Sequence, residues 1–122
     1  PDLFLMTYRD ADGGLLFDEA AERATRKIID AAVKHGVVLE VNGGGPRRGN
    51  YPSQDGMDWL YPRTAFWRIV ASSPAKVAIG CDTHNPPDLC DAVIDETIAF
   101  AERMKLKLLP RIDLKTERKP QP

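Results

Sequence analysis

Val77-Ala78-Ile79-Gly80-Cys81-Asp82-Thr83-His84-Asn85-Pro86 is an apolar run too short for a helix that ends in a carboxylate and an imidazole two residues apart. A run of this kind, bounded by glycine and turn-forming residues, reads as a buried strand over Lys76 to Gly80. With a strand's period of two, Asp82 and His84 project to the side of Ala78 and Gly80, whose small size leaves room for an ion. Such a pair can ligate a metal. The same spacing also suits an Asp82 that caps the following turn beside a His84 that merely packs.

Working outward, the residues before this strand predict a helix that opens at Pro62 and gathers Phe66, Ile69, Val70 and Ser73 on one face. Trp59, Phe66 and Trp67 read as core or loop anchors. The same order occurs earlier in the chain. From Phe17 to Gly36 the residues Ala21, Ala24, Ile28 and Ala32 recur at helical spacing, with Asp18 placed to cap the start and Gly36 to take the left-handed stop. Val37 to Asn42 follows as a second short strand. After His84, the loop Cys81 to Asp88 leads to a third helix near Leu89 to Met104, and Lys107 to Leu109 can add a short strand before Pro110. The fold class is α/β, a partial parallel sheet with αβαβα order. Strands separated by helices return in one direction, so both exit loops should lie at the same end of the sheet.

The exit of the earlier strand, Glu40-Val41-Asn42-Gly43-Gly44-Gly45-Pro46-Arg47-Arg48, is the second constellation. Glu40 and Asn42 share one face of a strand that should otherwise be buried, where a charged residue needs a partner or an ion. The glycines allow backbone N–H groups to turn toward an anion, and Arg47 and Arg48 offer the forked donors a phosphate wants. A solvated turn has the same composition. The stretch from Gly43 to Tyr61 shows little periodicity and reads as a long binding loop. No Walker loop or dinucleotide fingerprint fits, and no Ser-His-Asp signature is present. His35, at a helix end, is explained by the negative pole of the helix dipole.

Composition narrows the classes further. The chain has 122 residues, a net charge of −1 and mixed acidic and basic side chains, which leaves no broad basic stripe for nucleic acid or an anionic membrane. No apolar stretch approaches the roughly 20 residues that span a bilayer, so the chain reads as cytoplasmic. Cys81 and Cys90 are too far apart for a CxxC pair and read as reduced thiols. Residues 1–114 form the predicted domain, and Lys115 to Pro122 a polar tail. Pro1 lacks a preceding methionine, and Asp2-Leu3-Phe4-Leu5 reads as the exit from a strand already under way, as in a fragment of a longer protein.

Glu40-Val41-Asn42 before a glycine loop with arginine, then Gly80-Cys81-Asp82-Thr83-His84, together resemble the end of the PHP family of metal-dependent phosphoesterases. There a strand ending Glu-(Ile/Val)-Asn precedes one ending Gly-Ser-Asp-Ala-His. The resemblance runs from about Val37 to Leu106, includes Tyr61-Pro62, and is greatest to the histidinol-phosphatase branch. It implies a C-terminal fragment of a distorted (β/α)7 TIM-like barrel with divalent metal ions (Zn, Fe or Mn) at the ends of its strands. It implies hydrolysis of a small phosphorylated metabolite, histidinol phosphate being the first guess. By position, Asp82 and His84 would be metal ligands, Arg47 or Arg48 with Asn42 would hold the substrate, and Glu40 would support them. The family's His-x-His motif and further ligands are not in this sequence. A fragment on its own is expected to be inactive and to self-associate as a homo-oligomer through uncovered strand edges. The alternative is a non-catalytic α/β module that binds an anion or serves as an interaction surface.

Overall fold

A computed structural model describes residues 1–89 and 91–112. Cys90 and the tail expected from Lys115 lie outside the described residues. Helix α1 spans Glu19–His35, as its spacing predicts. Asp18 caps it by accepting the Ala21 N–H at 2.9 Å, and Gly36 ends it at φ +66°. Strand β1, Leu39–Asn42, follows directly and buries Leu39 and Val41 while Glu40 faces outward.

The predicted long loop is not structureless. Pro46–Arg48 forms a 3-10 turn, and strands β2 (Asn50–Ser53) and β3 (Gly56–Trp59) make an antiparallel hairpin. These strands are short and mostly exposed, with Pro52 in one and glycine opening the other, so neither carries an apolar period long enough to register. Helix α2 is Thr64–Ala71, two residues later than predicted. Pro62 lies outside it, joined to Tyr61 by a cis peptide bond. The helix is capped from a distance instead: Asp58, at the end of the hairpin, accepts both the Thr64 N–H and the Thr64 hydroxyl at 2.9 Å.

Strand β4, Val77–Gly80, pairs in parallel with β1, Leu39 opposite Val77 and Asn42 opposite Gly80. Leu108 extends this pairing by a single parallel bridge to Val77, which is what remains of the predicted last strand. Helix α3, Ala92–Arg103, starts at the Asp91 cap. The result is a mixed α/β fold with a small parallel sheet, and the described residues close no barrel. Among them no helix is long and apolar enough to cross a membrane.

The core gathers Leu5, Ile29, Leu39, Val41, Phe66, Trp67, Val70, Val77 and Phe100. Phe66 meets Trp67 edge-on at 5.4 Å, and Trp59 leans on Phe100 at 5.6 Å. The N-terminal residues Asp2–Leu5 form a 3-10 turn rather than a strand exit. Asp2, only 2% exposed, accepts the Arg63 N–H at 2.7 Å and the Trp67 indole N–H at 3.2 Å. The Arg63 side chain, 1% exposed, donates to the Leu16 and Leu5 carbonyls. Here a buried acid and a buried base anchor the first turn to the start of α2.

These carboxylates give acid stability a particular shape. Burial pushes the Asp2 and Asp58 carboxyls up. The Ala21 N–H, helped by the Tyr8 hydroxyl, holds Asp18 down, and the Arg47 guanidinium holds Asp91 down. A raised carboxyl adds stability as pH falls through its folded value. A lowered one keeps its contribution until pH falls below the unfolded value, about 4. As pH falls from neutrality, the melting temperature is therefore expected to hold or rise until the unfolded carboxyl value, about 4, is reached, and to drop below it. Asp2→Asn, which keeps an acceptor for both N–H groups, should flatten the rise. A steady loss of melting temperature as pH falls from neutrality toward about 4 would contradict this assignment.

Candidate functional site

Because β1 and β4 are parallel neighbours, their exits emerge side by side. The Gly43 N–H donates to the Gly80 carbonyl at 2.7 Å, joining the two loops where the strands end. Gly44 and Gly45 then let the backbone pass through spaces where a side chain would not fit. A Cβ on Gly44 would overlap the Asp82 carboxylate, and one on Gly45 would overlap the Tyr61 carbonyl oxygen. The Gly44 N–H is taken by the Asn42 side chain at 2.8 Å. The three glycines thus serve close approach, and the N–H groups of Gly43 and Gly44 are spent inside the chain. The anion cradle predicted from the glycine run loses those two donors.

Asp82 stands just beyond β4 with φ +50°. The strand period ends at Gly80, so strand alternation does not place Asp82 and His84 as the spacing predicted. Among the described residues one other non-glycine has positive φ, Lys105 at φ +56°. Lys105 follows α3, where the Leu106 N–H returns to the Ala101 carbonyl, so a helix stop explains it. Asp82 follows no helix. Aspartate is nevertheless among the few non-glycine residues that enter this region readily, so its residue type accounts for the turn.

His84 is well exposed, and its Nδ1 lies 2.9 Å from the Asp82 carbonyl oxygen. A carbonyl only accepts, so Nδ1 carries the proton and donates it. In the neutral ring the lone pair is then on Nε2. This is the arrangement of a ligating histidine, whose other N–H is fixed by a carbonyl or carboxylate. The Asp82 carboxylate is 3.9 Å from the same ring. One carboxylate and one imidazole suit zinc, iron or manganese, yet a catalytic zinc site takes about three protein ligands. Among the described residues no group of three or more His, Cys, Asp or Glu side chains converges. By residue type alone the pair suits a metal as part of a larger ligand set.

Of the other predicted residues, Glu40 is exposed rather than buried, and its carboxylate lies against Gly80, where a Cβ would strike it. The need for a partner that burial would have imposed is therefore absent. Asn42 stays beside the pair but acts on the backbone, as described. Arg47 forms a bidentate pair with Asp91 at 2.6 and 2.9 Å and also donates to the Asp88 carbonyl at 3.0 Å. Arg48 gives its Nε–H to the Tyr61 hydroxyl at 2.8 Å, with its guanidinium 5.9 Å from that ring. Asp91 was not singled out in the sequence, and Tyr61 only beside Pro62 as part of the family resemblance. An Asp at the start of an apolar helical period is the signal that could have found the cap, but nothing local points to its partner 44 residues away.

No protein-family model matches the chain, and neither a curated protein nor a solved structure matches it significantly.

Proposed function

We propose that this chain is the C-terminal part of a PHP-type, metal-dependent phosphoesterase that hydrolyses a small phosphate monoester, with histidinol phosphate as first candidate. The observation that carries the reading is the 2.9 Å contact of His84 Nδ1 with the Asp82 carbonyl oxygen at the exit of a parallel strand, which in the neutral ring leaves the Nε2 lone pair available, with the carboxylate of the same Asp82 3.9 Å from Nδ1. In parallel α/β sheets ligands gather outside the carboxyl ends of the strands, and both exit loops are there.

In this reading Asp82 and His84 supply two ligands of a site completed by residues outside the described set. A divalent ion, when bound, contributes Lewis acidity toward a phosphoryl oxygen. Asn42 holds the Gly43–Gly45 turn against Asp82, and Arg48, its Nε steadied by Tyr61, presents the rest of its fork to the phosphate. Glu40, outward on β1, is a supporting residue at the strand exit.

The test uses the full-length protein. After chelation and dialysis, hydrolysis of histidinol phosphate and of p-nitrophenyl phosphate is measured with and without added Mn2+ or Zn2+. Metal-restored hydrolysis is the expected result. A protein that takes up no divalent ion and hydrolyses neither ester with metal present would overturn the reading.

A further inference from the structure

The two arginines after the glycine run are adjacent in sequence but held in different ways. Both terminal nitrogens of Arg47 are committed to the far end of the Cys81–Asp91 segment, through the Asp91 carboxylate and the Asp88 carbonyl. The near end of that segment is fixed by the Gly43 N–H on the Gly80 carbonyl and by the close passage of Gly44 at Asp82. The exit loop of β1 therefore grips the segment at both ends, with Asp82 and His84 between the two grips.

We propose that Arg47 is a positioning residue, a clamp that fixes the Cys81–Asp91 segment and so sets where Asp82 and His84 stand, and that it does not bind substrate. This rests on the reading of Asp82 and His84 as metal ligands. A guanidinium fork in bidentate contact with a carboxylate has its preferred partner already. A phosphate could take it only by leaving Asp91 unpaired at the start of α3. Asp91 has a second duty there, accepting the Val93 N–H at 3.1 Å, so the clamp joins the β1 exit to the first turn of α3. Arg48 differs, since its one bond to Tyr61 uses Nε and not the paired terminal nitrogens.

The experiment compares Arg47→Ala, Arg47→Lys and Arg48→Ala in the full-length protein by hydrogen exchange of peptides covering residues 81–91, Mn2+ binding, and hydrolysis of p-nitrophenyl phosphate. Both Arg47 variants should speed exchange across residues 81–91 about tenfold, the scale of a lost charged hydrogen-bond pair. They should weaken Mn2+ binding about 10- to 100-fold, as loss of a group that orients a ligand does. KM, measured at saturating Mn2+, should stay within about twofold while kcat falls. Arg48→Ala should raise KM and leave exchange unchanged. Asp91→Asn retains a capping side chain and should reproduce Arg47→Lys, which guards against a variant that fails to fold. Unchanged exchange with a raised KM in Arg47→Ala would overturn the clamp and make Arg47 a substrate ligand. Faster exchange in a protein that binds no Mn2+ in any form would instead overturn the metal pair and leave the clamp with nothing to position.

Discussion

In the full-length protein, Asp82→Asn and His84→Ala are each expected to lower bound metal and phosphatase turnover together, with the fold retained. Residues that only orient a metal ligand cost about 10- to 100-fold in affinity or activity when changed, so loss of a ligand should cost at least that. The chosen substitutions separate chemistry from folding. Asp82 sits at φ +50°, and asparagine is among the few residues that tolerate this region, so Asp82→Asn removes the charge and leaves the backbone at ease. His84 is exposed, and its recorded hydrogen bond is to a neighbouring carbonyl, so His84→Ala should change stability by no more than about 0.5 kcal/mol. Metal analysis, turnover and a melting curve on the same samples decide it. Wild-type metal content and turnover in both variants would show that Asp82 is an ordinary turn residue and His84 a surface one.

The parts of this fold that were legible in the sequence are those in which one residue's neighbours in the chain determine its fate. Asp18 and Gly36 bracket α1 because a cap and a left-handed stop act over three or four residues. The two parallel strands were legible because each is a short apolar run after a helix. Connections made across the chain were not. Asp2 holds the backbone of Arg63 and Arg47 finds Asp91, over separations of 61 and 44 residues that no local pattern encodes, and even Asp58, six residues before Thr64, lies beyond the reach of an ordinary cap. The hairpin itself was missed because exposed four-residue strands bury too little to impose an apolar period. Glu40 was misjudged for a related reason: the strand was read as covered on both faces, whereas β1 alternates between core and outside.

The same contrast governs the glycines, and it yields the second large effect. Gly45→Ala is expected to destabilise the fold by about 3 kcal/mol or more, near the upper end of what overpacking costs. Gly45 has an ordinary helical φ of −66°, so conformational freedom does not explain it. Space does: an added Cβ would overlap the Tyr61 carbonyl oxygen and come within 2.7 Å of the Tyr61 ring. That carbonyl cannot easily retreat. Tyr61 is buried, its hydroxyl is held by Arg48, and two residues on the Arg63 N–H is tied to the buried Asp2. Gly36 is the counter-example, with φ +66° and nothing within 4 Å of an added Cβ, so Gly36→Ala should cost only the roughly 1–2 kcal/mol of a left-handed alanine. In thermal unfolding Gly45→Ala should lower the melting temperature by on the order of 10 °C or more, and Gly36→Ala by clearly less. The reverse ranking would mean that the β1 exit does not press against Tyr61, and the placement of Arg48 on the Tyr61 hydroxyl would fall with it.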